Sequence, residues 1–75
     1  MKVFVVISDG VCILVTTSEL EALLAYGKAC ERDGWESEED GWSDREDGLL
    51  RETTLWLPYQ EETFVTLWHK EMEVD

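Results

Sequence analysis

The chain is short of bases. Six lysines and arginines stand against eighteen aspartates and glutamates, a formal net charge of -12 at pH 7. A small domain usually carries roughly 2 to 8 charges of either sign. Such an acid excess repels nucleic acid and anionic lipid, attracts basic protein surfaces and costs stability through self-repulsion. Histidine is nearly absent, His69 being the only one. It falls in a strand-like run beside Trp68 and Lys70, where a surface or edge residue is expected and not a general base. Cysteine is scarce: Cys12 and Cys30 lie far apart and outside any CxxC pair, so a His/Cys zinc site lacks ligands. They read as two buried thiols of a cytosolic protein, with one disulfide of a secreted domain as the alternative. No apolar run approaches the roughly 20 residues of a membrane span. The first residues, MKVFVVISDG, have the look of a signal-peptide core, but Asp9-Gly10 follows where small residues would mark cleavage. A first strand and a cytoplasmic location are therefore expected. GxGxxG, P-loop and HExxH patterns are missing, and so is a nucleophile motif. No enzyme and no cofactor is expected.

What is present suffices for one small domain, residues 1–75, with hydrophobic residues at 44%. A chain this short buries only about 60% of its unfolded surface, so its core is marginal. Lys2 to Ile7 and Val11 to Thr16 are rich in β-branched residues, and Asp9-Gly10 between them signals a tight hairpin. Both runs are apolar on both faces, which places this hairpin centrally in a sheet. Ser18 and Glu21 have capping-box spacing and open a helix expected over Glu19 to Asp33, with Gly34 as its stop. Leu20, Leu23, Leu24 and Gly27 share one face, extended by Ala29 and Cys30. Those leucines are expected to meet Val3, Val5, Ile13 and Val15 of the sheet. Leu49 to Leu57 and Thr63 to Lys70 read as strands around a turn at Pro58. The expected fold class is α+β, a β-β-α-β-β antiparallel sheet with one helix across a face. The other face carries its own aromatics and could be a dimer surface.

Between helix and second hairpin lies an acidic loop, residues 34–48. Asp-Gly recurs at Asp33-Gly34, Asp40-Gly41 and Asp47-Gly48, and Trp35 and Trp42 follow the first two copies. Glu36, Glu38, Asp40, Gly41, Asp44 and Asp47 fall in a calcium-loop register, which gives one alternative: a calcium-binding module. The register departs at its ends, with Glu36 where aspartate is usual and Asp47 where a bidentate glutamate is. Another alternative is a small dimeric structural or assembly protein.

The leading expectation is a protein-binding surface. B-form DNA presents one negative charge about every 1.7 Å of axis. Carboxylates on a scaffold can imitate that and pair with Lys and Arg of a nucleic-acid-binding protein. The residues expected to do so are Glu36, Glu38, Glu39, Asp40, Asp44, Glu46 and Asp47, with Trp35 and Trp42 as anchors or as cover for the core edge. In size, charge and expected β-β-α-β-β plan the chain resembles the small acidic proteins that bacteriophages encode against host defences, of the anti-CRISPR and anti-restriction type. No motif carries the resemblance. It implies a cytosolic inhibitor that occupies the basic nucleic-acid-binding groove of a defence complex.

Overall fold

A computed structural model describes residues 1–39 and 48–72. The elements run β1 (Lys2–Ser8), β2 (Val11–Thr16), α1 (Glu19–Cys30), β3 (Glu36–Glu39), β4 (Leu49–Leu57) and β5 (Glu61–Glu71). Their order across one antiparallel sheet is β2-β1-β5-β4-β3. The fold is α+β, as the sequence implies, with one strand more than expected. Glu36 to Glu39 is an edge strand and not loop, because it pairs with Thr53 to Trp56 of β4. A run of three carboxylates has poor strand propensity, so pairing with β4 overrides it.

The β1–β2 turn puts Asp9 at φ 56 and Gly10 at φ 78, the pair of positive values that a tight primed turn requires. The hairpin is not central, however. The middle strand is β5, and β2 forms an edge. Apolar residues on both faces of β2 therefore do not reflect burial on both faces. Gly48, at φ 90, leads into β4, and a Cβ there would stand 2.5 Å from the His69 carbonyl oxygen. That close approach matches the hydrogen bond from the His69 N–H to the Gly48 carbonyl, 2.9 Å.

Helix α1 is shorter than expected and ends at Cys30, capped by Glu31. Gly34 instead serves the turn into β3, at φ 81. Ser18 caps the start, accepting from the Glu21 N–H at 3.2 Å. The reciprocal half of the capping box is replaced: the Ser18 N–H donates to Thr16 Oγ1 at 3.0 Å, and the Thr16 hydroxyl reaches Glu21.

The core lies between α1 and one sheet face. Phe4, Val6, Ala22, Tyr26, Leu55, Val65 and Leu67 form it, with Leu14, Leu23, Ala25, Ala29, Cys30, Trp35 and Leu50 partly buried around them. Three expectations are corrected here. Leu20 and Leu24 are 69% and 61% exposed, because the helix seats its Ala22–Tyr26 line on the sheet. A small alanine lets the helix backbone approach closely, and the tyrosine fills the space beside it. On the sheet the parity is opposite to that expected. Phe4 and Val6 face the helix, while Val3 and Val5 are half-buried and Ile13 and Val15 are exposed. Neither cysteine is a buried thiol: both are free, Cys12 exposed and Cys30 half-buried.

Candidate protein-binding face

The register of the strands fixes what the helix-free face carries. Strand alternation puts Glu36 and Glu38 of β3, Glu52, Thr54 and Trp56 of β4, and Glu62, Phe64, Thr66 and Trp68 of β5 on that face. Val5 pairs with Trp68 and Val15 with Val5, so the face continues as aliphatic surface toward β2. It thus grades from carboxylates and aromatics at β3 to aliphatics at β2. Phe64 is 47% exposed, and Trp56 and Trp68 are half-buried with no layer over them among the described residues. The expectation that this face carries its own aromatics is met.

One row of that face is notable chemically. Trp56 lies opposite Glu36 on one side and Glu62 on the other. Directly opposed residues have Cβ atoms about 4.5–5.5 Å apart, so the indole sits in a frame of two carboxylates. The Trp56 Nε1–H donates to Glu36 Oε2 at 2.8 Å, which orients the ring. The next row adds Glu38 and Phe64, both opposite Thr54. An indole flanked by carboxylates suits a guanidinium, which can stack on the ring and donate to the acids together.

At the same end of the sheet a groove of about 420 Å³ is lined by Asp9, Arg32, Trp35, Glu61, Glu62 and Thr63. Arg32 Nη2 donates to both Asp9 oxygens, at 3.2 and 3.0 Å, and the Thr63 hydroxyl donates to Asp9 Oδ1 at 2.6 Å. The Thr63 hydrogen bond is the largest influence holding the Asp9 carboxyl below its usual range; burial opposes it, and the Arg32 hydrogen bond and charge add to the lowering. This cluster ties the hairpin turn to the end of the helix. Arg32 also lies 4.7 Å from the centre of the Trp35 ring. Trp35 therefore covers the core edge and meets a cation of its own chain.

The acids of the expected binding loop divide. Glu36 and Glu38 share the open face, whereas Glu39 lies on the helix side and pairs with Arg51 at 2.7 Å. Asp40, Trp42, Asp44, Glu46 and Asp47 lie outside the described residues. Of the calcium register, Glu36 and Glu38 sit in a strand, and the remaining ligands fall outside. Among the described residues no His, Cys, Asp and Glu cluster could hold a metal ion. His69 lies in β5 opposite Phe4.

Sequence reasoning missed Trp56 and Glu62 as partners. The signal was available: Trp56 and Glu62 lie symmetrically about the Pro58 turn, as hairpin pairing requires. The short strand that brings Glu36 to them was not legible, since its composition reads as loop.

The fold and the open face define an α+β protein with one layer of helix on one layer of sheet. No family model, curated protein or solved structure matches the chain. Among the described residues no helix is long and apolar enough to cross a membrane.

Proposed function

We propose that the protein is a non-enzymatic binding protein whose acidic, aromatic-bearing sheet face engages a basic partner. In this reading it is an inhibitor that mimics nucleic-acid charge in the basic groove of a CRISPR-type defence complex, acting in the cytoplasm. The observation that carries the reading is the Glu36–Trp56–Glu62 row, continued by Glu38. On the open face β3 presents Glu36 and Glu38 two residues apart, one charge per about 7 Å of strand, and Glu62 of β5 adds a second column across Trp56. One DNA strand offers one per 3.4 Å or so. Internal pairing leaves the acid excess of 12 unchanged, but it engages Arg32 and Arg51 with Asp9 and Glu39, away from the open-face carboxylates. The partner's arginines would meet carboxylates where they normally meet phosphates.

The cleanest variants avoid the carboxylates that hold the fold. Glu39 pairs with Arg51 and Glu36 orients Trp56, so reversal of either would disturb structure as well as surface. Glu38 and Glu62 are exposed. The double variant Glu38→Lys/Glu62→Lys should bind an arginine-rich peptide at least about a hundredfold more weakly than the parent. Two charge-assisted hydrogen bonds, each about 1.5–3 kcal/mol, are at stake. It should likewise lose the power to displace DNA from a purified RNA-guided effector complex. Parental affinity should fall steeply with added salt. Retained binding by the double variant, or affinity indifferent to salt, would sink the reading.

A further inference from the structure

The two edges of the sheet are built oppositely. At one edge β3 reads Glu-Ser-Glu-Glu, and charge is a common protection against edge-to-edge pairing. At the other, β2 reads Val-Cys-Ile-Leu-Val-Thr, with no charge, glycine or proline. Six such residues have the composition of a segment that readily adds a strand. The interior does not account for them: Val11, Ile13 and Val15 are 62%, 48% and 60% exposed. Among the described residues, β2 has a neighbour on one side only.

We propose that β2 is a self-association edge, at which a second copy of this chain adds its own β2 antiparallel to form a ten-stranded sheet across a two-fold axis. Such an interface is isologous, so β2 of one copy meets β2 of the other, with Val15 presented on the open face beside Val5, Val11 on the helix side beside Ser8, and Ile13 at the register shift between them. Charge decides both the occupant's position and the edge. In β2-to-β2 pairing the two β3 strands lie nine strand spacings apart, about 43 Å at about 4.8 Å each. That is several Debye lengths at physiological salt, about 8 Å each, so the acidic edges scarcely repel. Face-to-face packing of two open faces would instead set the carboxylate end bearing Glu36, Glu38, Glu52 and Glu62 about 10 Å from the partner's open face. Asp9, in the turn entering β2, is paired with Arg32, and at the other end of β2 the exposed Glu21 carboxylate accepts from the Thr16 hydroxyl. The pairing leaves both arginine-accepting rows free at the far ends of one continuous sheet.

Sedimentation velocity over a wide dilution series should show a reversible dimer of the 8.7 kDa chain. Its affinity should hold or tighten with salt, the reverse of basic-partner binding. Val11→Lys/Ile13→Lys should weaken dimerisation about a hundredfold, since each substitution acts twice across the two-fold. Its circular dichroism should match the parent's, and its affinity for an arginine-rich peptide should persist. Glu38→Lys should leave the dimer intact. Without any substitution, amide exchange across Val11–Thr16 should slow as concentration rises. A monomer at every concentration would overturn the proposal, the irregular register of β1 and β2 around Ile13 then sufficing to protect the edge. So would a dimer that survives Val11→Lys/Ile13→Lys, or amide protection of β2 that a foreign strand confers and a second copy does not.

Discussion

Leu55→Ala should destabilise the fold by about 2–5 kcal/mol, and Leu24→Ala by no more than about 0.5 kcal/mol. Leu55 is 0% exposed in β4, between the helix and the sheet, whereas Leu24 is 61% exposed. Truncating Leu55 removes apolar burial and leaves a cavity that a one-helix core can close only by moving α1. A domain of 75 residues has a total stability of about 4–11 kcal/mol at the usual per-residue range. The Leu55 loss is therefore a large part of the whole. The net charge of -12 adds to the strain, since self-repulsion already draws on that margin. Urea unfolding followed by tryptophan fluorescence gives both values. An equal cost for the two leucines would contradict the seating of α1 on its Ala22–Tyr26 line.

That seating shows where the sequence stops being informative. The helix holds two candidate apolar lines, Leu20–Leu24 and Ala22–Tyr26, and larger side chains make the first look like the core. The sheet decides otherwise, because a close-packed single layer rewards a small residue at the crossing point. β1 was ambiguous in the same way: Val3, Phe4, Val5 and Val6 are all apolar, so no alternation fixes which face meets the helix. Turns were far more legible. Asp9-Gly10, the Ser18 cap and Gly48 each answer to local φ and hydrogen-bond needs, and each lies where those needs place it. The binding face falls between the extremes. Its aromatics were legible from β4 and β5, but its carboxylate frame depends on β3, whose pairing is a tertiary effect. The edge position of β2 was hidden for the reason that makes it interesting: its apolar composition reads as central.

Tyr26→Phe should cost about 1–3 kcal/mol at neutral pH, and should also flatten the decline of stability in alkali. Tyr26 is 4% exposed, and its hydroxyl hydrogen-bonds the hydroxyl of Thr53, the buried polar residue of the core. Removing one hydroxyl leaves the other buried with one partner fewer. Burial pushes the Tyr26 pKa up from 10.0 to about 12, and the Thr53 bond only partly opposes it. The guanidinium of Arg51, 5.6 Å from the ring centre, opposes it weakly as well, while Cys30 and Glu39 add to the rise. The unfolded chain therefore releases this proton before the folded one does. Above pH 10 the folded state binds more protons than the unfolded state, so stability falls with pH. The contribution is whole below about pH 10 and is lost as pH climbs through about 12. About two pKa units correspond to roughly 2–3 kcal/mol over that window. Urea unfolding from about pH 9 to 12, parent beside Tyr26→Phe, isolates it from the lysines and from net charge, which both proteins share. Parallel decline in the two proteins would show that Tyr26 ionises freely, and the burial of its hydroxyl against Thr53 would have to be given up.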